Sequence, residues 1–202
     1  KHIQQDKLER LRQVIDENPN ITIEQVDTPK RMAFQMDKNG IAKNLRQSTD
    51  DTALVGYQAL ADELAEIKNL AAVFVPTSSG TTAQGLYNGF KKHGLNPQIH
   101  IIQTPFCHPM VESSNPTGPS VANAIVDKIG FRKEAVQKAM RDSGCNGWIA
   151  TDNDIAETKW QLKETENLDI SPNSALSIAG LRLALQDKLT FNGPVVCILT
   201  GR

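Results

Sequence analysis

Residues 72–89 read AVFVPTSSGTTAQGLYNG, and this stretch decides the fold. It begins with an apolar, largely β-branched run at residues 72–75, passes through Pro76 into small hydroxylated residues, and continues as a predicted helix. A parallel strand that is buried on both faces has such a continuous apolar run. A helix that begins directly after the strand points its unpaired N–H groups beyond the strand's carboxyl end. The stretch therefore predicts a strand, a loop that can hold an anion, and a helix.

The loop is rich in groups that bind phosphate. Its candidate ligands offer backbone N–H groups and four hydroxyls, and they are Ser78, Ser79, Gly80, Thr81 and Thr82. A residue as small as Gly80 lets the backbone approach a phosphate closely. The residues alone leave a second interpretation open, which is an ordinary strand-to-helix turn with a serine-rich cap.

Two common nucleotide-binding motifs do not fit the loop. A Walker loop requires Lys and Ser or Thr after its second glycine, but Leu86 and Tyr87 follow Gly85. A dinucleotide fingerprint requires three glycines at a fixed spacing, and the loop offers only Gly80 and Gly85, at the wrong spacing. The pattern therefore excludes both motifs.

Composition indicates a globular protein that works in the cytoplasm. The chain has 202 residues, of which 39% are hydrophobic and 22% charged, with a net charge of −1. This charge gives no reason to expect a nucleic-acid partner. The sequence shows no long apolar run and no leader, so we do not expect association with a membrane. The three cysteines, Cys107, Cys145 and Cys197, lack the spacing of metal ligands, so we expect reduced thiols and no metal site.

Helix and strand patterns alternate along the chain without hairpin signals. Helices are predicted at residues 7–17, 31–39, 50–67, 120–129, 132–142, 151–166 and 173–188, and strands at residues 21–26, 72–75, 97–102, 147–150 and 195–199. This alternation predicts an α/β fold, a parallel sheet with helices on both faces, whose ligands bind beyond the carboxyl ends of the strands. The loop at residues 78–82 and Thr200 both lie at such ends.

Three further expectations concern burial. The helix at residues 173–188 is apolar on nearly every face, which is typical of a helix between layers or against a partner subunit. His100 lies within an apolar strand and is expected in the core without a catalytic role. His108, in a stretch rich in proline, is expected at the surface.

Four segments, taken in their order along the chain, resemble those of the fold-type II pyridoxal-phosphate enzymes. Among these enzymes the resemblance is to threonine synthase, with threonine dehydratase and cysteine synthase as relatives. Residues 76–85 resemble the family's glycine-rich phosphate loop, although only Gly80 is a glycine within its central run. Residues 50–58 are similar to the helix before that loop. Residues 151–180 resemble an acidic-capped helix followed by a second helix start, where Ser171 replaces the family's Glu. Residues 195–202, VVCILTGR, resemble the strand and turn whose hydroxyl meets the pyridine nitrogen.

The resemblance implies a cofactor, a reaction class and an assembly. The cofactor is pyridoxal 5'-phosphate, with its phosphate on residues 78–82 and its ring nitrogen near Thr200. A neutral hydroxyl does not keep that nitrogen protonated as an aspartate does, which suits a lyase that performs elimination or replacement on an amino-acid substrate. A homodimer is implied, with residues 1–44 as the remnant of a smaller α/β domain and residues 45–202 as the large cofactor-binding domain.

The catalytic lysine is not identified. Family members carry their Schiff-base lysine in an N-terminal part of the chain, and no segment here matches that motif, so the catalytic residues stay unknown. We expect the chain to be the C-terminal portion of the enzyme and to require the missing N-terminal segment for activity. Two alternatives remain, which are a non-catalytic binding or regulatory module on the same fold and a binder of phosphosugars or nucleotides that uses only the loop.

Overall fold

The structure of the protein is a computed structural model that describes residues 5–112, 116 and 118–201. Residues 1–4 of the smaller predicted domain, and residues 113–115, 117 and 202 of the larger one, therefore lie outside the described residues. The chain divides into two units, Lys1–Leu45 and Arg46–Arg202.

The smaller unit contains two helices, α1 (Gln5–Glu17) and α2 (Pro29–Lys38). Pro29 begins α2, where its missing N–H group costs nothing. The prediction of a strand at residues 21–26 is wrong, because this segment joins no sheet. Its alternating pattern suits a strand, but no second strand occurs among residues 5–45 to accept its N–H groups.

A parallel sheet of four strands forms the centre of the larger unit. Its strands are β1 (Ala72–Pro76), β2 (Gln98–Gln103), β3 (Gly147–Ile149) and β4 (Val195–Cys197). Their order across the sheet is β3-β2-β1-β4, with every neighbouring pair parallel. The chain thus moves from β1 to one side of the sheet and returns with β4 to the other side. A change of direction of this kind leaves a crevice beyond the carboxyl ends of the two strands that flank it.

Helices cover both faces of this sheet, as predicted. They are α3 (Ala53–Leu64), α4 (Thr81–Lys92), α5 (Lys133–Ser143), α6 (Asp152–Glu166) and α7 (Pro172–Gln186). Side chains alternate along β1, so that Val73 and Val75 join a core with α3, α4 and α5, whereas Phe74 joins a second core with α6 and α7. The parallel α/β architecture is therefore confirmed.

The helix predicted at residues 120–129 is wrong, and the segment forms turns. Several of its backbone N–H groups donate to side chains instead of to carbonyls one helical turn away. Val121 donates to the carboxylate of Asp152 at 3.2 Å, and Ala124 donates to the amide oxygen of Asn173 at 3.0 Å. These long-range partners satisfy the backbone without a helix.

The burial expectations have mixed outcomes. Helix α7 packs directly on the sheet, because Gly180 approaches β2 so closely that a Cβ atom there would be 2.2 Å from the side chain of Ile102. His100 is fully buried, as expected. The expectation for His108 is wrong, since it is also buried and its Nδ1 lies 3.0 Å from the carbonyl of Thr104. Within the described chain, no helix is long and apolar enough to cross a membrane.

Candidate functional site

A cavity of about 150 Å³ lies beyond the carboxyl ends of β1 and β4. Its lining includes all six residues singled out from the sequence, namely Ser78, Ser79, Gly80, Thr81, Thr82 and Thr200. The structure thus brings the loop and Thr200 together, although they come from distant parts of the chain. The cavity occupies the crevice where the strand order changes direction.

The N-terminus of α4 opens into this cavity without a side-chain cap. Gly80 precedes the helix with a φ angle of +87° and has no side chain to cap it. The first turn makes one long side-chain contact, from the N–H of Thr81 to the Ser79 oxygen at 3.5 Å. In contrast, Thr151 and Ser171 cap the N-termini of α6 and α7. The first N–H groups of a helix have no partner within the helix, and the helix dipole adds partial positive charge there. This end of α4 therefore suits an anion.

Gly80 is required for a reason other than the one inferred from the sequence. A Cβ atom at this position would lie 2.6 Å from Cγ2 of Val136 and 3.0 Å from Cε of Met110. The missing side chain therefore makes room for α5 and for the side chain of Met110. Together with the positive φ angle, this packing restricts the position to glycine.

Two of the loop's four hydroxyl protons are already in use. The Thr81 hydroxyl donates to the carbonyl of Gln47 at 3.1 Å. The Ser79 hydroxyl, 2.9 Å from the Thr81 oxygen, must then donate to that oxygen. Both side chains therefore hold the loop in shape, so Ser79 and Thr81 have no hydroxyl proton left to donate to a ligand.

The other two hydroxyls can donate to a ligand. The Ser78 oxygen accepts N–H bonds from Val126 at 3.1 Å and from Asp127 at 3.2 Å. Its own proton has no acceptor among the residues that the structure describes. The Thr82 side chain makes no hydrogen bond within the described residues. Ser78 and Thr82 are thus the two loop side chains that suit a phosphate.

Thr200 is held at the end of β4 by the first turn of α7. Its N–H group donates to the Ser174 hydroxyl at 3.1 Å, and that hydroxyl donates to the carbonyl of Gly201 at 2.5 Å. The Thr200 residue is exposed, so its own hydroxyl is accessible from the cavity.

Three lining residues from outside the loop segment at residues 76–85 were missed by sequence reasoning. Ala124 and Ile125 come from the turns at residues 120–129, and Asn173 comes from the first turn of α7. The wrong helix prediction concealed the first two. A signal for Asn173 was its place beside a helix cap at Ser171, since polar residues at a helix start often bind neighbouring backbone.

The lining offers no amine and no metal-binding cluster. None of the cavity's lining residues is a lysine. Across the residues that the structure describes, no group of three or more His, Cys, Asp or Glu side chains could hold a metal ion.

The model of a family described as "Pyridoxal-phosphate dependent enzyme" matches residues 12–201 of the chain. The chain belongs to this family. Its cofactor is pyridoxal 5'-phosphate, and the residues present fit that group. The uncapped N-terminus of α4 and the free hydroxyl protons of Ser78 and Thr82 provide the donors that a phosphate requires.

Curated relatives and solved structures agree with this assignment. The chain is 26% identical to the threonine synthase of Methanocaldococcus jannaschii and 28% identical to that of Methanosarcina acetivorans, over 78% and 73% of its own length. It spans 44% and 40% of these two relatives, less than half of each.

Solved structures of related enzymes show the same fold. The processed form of threonine deaminase isoform 2 from Solanum lycopersicum has a TM-score of 0.67 at 17% identity, covering 85% of this chain and 49% of that one. Serine racemase from Dictyostelium discoideum also has a TM-score of 0.67 at 17% identity, covering 88% of this chain and 59% of that one.

Proposed function

We propose that this chain forms the phosphate-binding and ring-nitrogen side of the active site in a threonine-synthase-like enzyme. The observation that carries the proposal is the single cavity shared by the uncapped N-terminus of α4 and Thr200. Its reaction would be an elimination or replacement on an amino-acid substrate, as expected for a lyase of amino-acid biosynthesis. The similarity to two threonine synthases supports this choice over a phosphosugar or nucleotide binder.

Each group in the cavity has a distinct role in the proposal. The free N–H groups of α4 and the hydroxyls of Ser78 and Thr82 bind the phosphate. The Thr200 hydroxyl would donate a hydrogen bond to the pyridine nitrogen. Because it is neutral, it would not stabilise that nitrogen in its protonated form as a carboxylate does. When bound, the cofactor supplies an electron sink for the substrate carbanion.

The Schiff-base lysine is proposed to come from outside this chain. No lysine lines the cavity in the part of the chain that the structure describes, and the chain covers less than half of its curated relatives. The activity is thus proposed for the whole enzyme, with a segment N-terminal to this chain supplying the lysine. The absence of a lysine would also suit a non-catalytic module, but the family match and the threonine synthase relatives do not favour that alternative.

Replacing Thr82 tests the phosphate site in the full-length protein. Thr82→Val removes one hydroxyl bond to a charged group, worth about 1.5–3 kcal/mol, so the Kd for pyridoxal 5'-phosphate should rise roughly tenfold or more. The Kd is measured by equilibrium dialysis. Thr165→Val, an equal change on the exposed face of α6, is the control and should leave the Kd unchanged.

Thr200→Ala tests the ring contact in the same protein. It removes a bond between neutral groups, worth about 0.5–1.5 kcal/mol, so it should shift the visible absorbance of the bound cofactor more than it raises the Kd. If Thr82→Val and Thr200→Ala both leave affinity and spectrum unchanged in a folded protein, the proposed site is wrong.

A homodimer is proposed chiefly from the family resemblance, and a cytoplasmic location from the composition of the chain. The apolar perimeter of α7 gives the homodimer little added support, because the sheet and α6 already bury most of that helix. Light scattering on the full-length protein should give twice the mass of one chain, and a monomeric mass would contradict the proposal.

A further inference from the structure

Arg132 is a buried cation whose every donor is used. It lies just before α5, its side chain is 5% exposed, and a guanidinium carries five N–H donors. Nε and Nη2 both donate to the carbonyl of Gln47, at 3.2 and 2.7 Å, and Nη2 also donates to the carbonyl of Asp50 at 3.0 Å. Nη1 donates to the carboxylate of Asp51 at 2.7 Å and to the amide oxygen of Gln84 at 2.8 Å.

These five bonds connect three segments at the base of the phosphate loop. Gln84 lies in the first turn of α4, and its backbone N–H donates to the carbonyl of Gly80. The carbonyl of Gln47 is shared, because it also accepts the hydroxyl of Thr81, the first residue of α4. Arg132 therefore holds the beginning of α4 twice, directly through Gln84 and indirectly through Gln47.

The backbone of the loop also packs on Arg132. A Cβ atom at Gly80 would lie 3.3 Å from the Cβ atom of Arg132. The arginine thus fixes the residue before α4 as well as the first turn of the helix. Since all five donors are occupied, none remains to bind a ligand directly.

We propose that Arg132 is a positioning residue for the cofactor phosphate, which it serves by fixing the direction of the free N–H groups of α4. This inference rests on the proposed function, since it requires the phosphate to bind at residues 78–82. A planar guanidinium with donors in fixed directions suits the task, whereas an ammonium is a point charge with fewer donors.

The test separates phosphate binding from general stability by comparing two ligands. Equilibrium dialysis on the full-length protein gives the Kd for pyridoxal 5'-phosphate and for pyridoxal, which lacks the phosphate. The Kd for pyridoxal divided by the Kd for pyridoxal 5'-phosphate measures what the phosphate contributes, and this quotient is the ratio used below. Arg132→Met should lower this ratio at least about tenfold, while Kd for pyridoxal stays nearly constant.

Two further variants complete the design. Arg182→Met is the matched control, because Arg182 bridges α6 and α7 through Thr158 and Glu157 without lining the cavity, so its loss should leave the ratio unchanged. Arg132→Lys keeps the positive charge and should not restore the ratio. If Arg132→Met fails to fold, Gln84→Met removes only the direct bond to α4 and should lower the ratio by a smaller factor.

The outcomes distinguish this inference from the proposed function. If the native protein binds both ligands equally, phosphate binding by the loop is wrong and the inference falls with it. If the ratio is high in the native protein and unchanged in both Arg132→Met and Gln84→Met, the phosphate site is supported but the positioning role assigned to Arg132 is wrong. Full recovery in Arg132→Lys would also overturn positioning, because charge alone would then explain the effect.

Discussion

His100 shows how a single buried residue sets a pH dependence. Its ring stacks on Phe74 with centroids 4.5 Å apart. Nδ1 of His100 lies 3.1 Å from the indole nitrogen of Trp148 and 3.3 Å from the carbonyl of Asn146. The indole N–H can only donate, so Nδ1 accepts from it rather than donating to the longer Asn146 contact, and Nε2 carries the proton toward the Gln98 oxygen at 3.0 Å. The ring is therefore neutral in the folded protein, and burial lowers its pKa to about 4.

We expect stability to fall below neutral pH because of His100. In the unfolded chain its pKa is near the usual 6.5, so the unfolded state binds the proton first as the pH falls. The stabilisation is fully present above pH 6.5 and is lost as the pH falls toward 4. Between pH 7 and pH 5 the loss should be about 2 kcal/mol in the free energy of unfolding.

Urea denaturation of the native protein and of His100→Gln at both pH values checks this expectation. The glutamine is not titratable and can still accept from Trp148, so the variant should lose about 2 kcal/mol less than the native protein between the two pH values. Equal losses in both proteins would show that His100 does not titrate on unfolding.

Gly80 illustrates what residue-level reasoning from the sequence does not reveal. The sequence showed a glycine in a loop of small residues but not the α5 side chain beneath it. A larger residue at this position would strain the backbone and displace Val136, so loss of cofactor binding would not identify a phosphate contact. Thr82 and Ser78 are better probes, because their free hydroxyl protons were revealed only by the hydrogen bonds around them.

At the scale of elements, α3 and α4 pack at unusually close range. A Cβ atom at Gly89 would lie 2.4 Å from the Cβ of Ala61, and one at Gly85 would lie 2.4 Å from the Cβ of Tyr57. These two glycines, four residues apart, share one face of α4. They allow α3 to lie against the helix whose N-terminus opens into the cavity.

The two helices offer a matched pair of glycine substitutions. Gly89→Ala should reduce the free energy of unfolding by about 1–3 kcal/mol because the helices must move apart. Gly56→Ala, in α3 with open space around it, should increase stability by up to about 1 kcal/mol because alanine favours the helix. Both are measured by urea denaturation.

A second substitution identifies the contact that is responsible. Ala61→Gly removes the atom that the new methyl group would meet, so Gly89→Ala should cost less in that background. An equal cost in both backgrounds would contradict a direct clash between these positions.

Elements with strong periodicity could be predicted from sequence, and elements whose state depends on distant partners could not. The helix that became α6 carries its own cap, since Thr151 and Asp154 satisfy each other's backbone N–H groups. Residues 21–26 have a strand pattern but no neighbouring strand. Residues 120–129 have a helical composition, but Asp152, Asn173 and Ser78 take their N–H groups.

At the scale of the whole molecule, the order of strands was beyond sequence reasoning. Alternating patterns predict a parallel sheet, but they do not say which strands are neighbours. The pairing of β4 with β1 is what brings Thr200 to the loop, and the sequence indicated it only through resemblance to a family.

This pairing also sets the time at which the cavity arises during synthesis. Strand β1 and its loop leave the ribosome long before β4, which closes the far side of the sheet. A nascent chain that has already paired β1, β2 and β3 still lacks one wall of the cavity. A ligand that contacts both walls can therefore bind only after β4 has emerged and paired with β1. Binding of such a ligand thus indicates that the four-stranded sheet is complete.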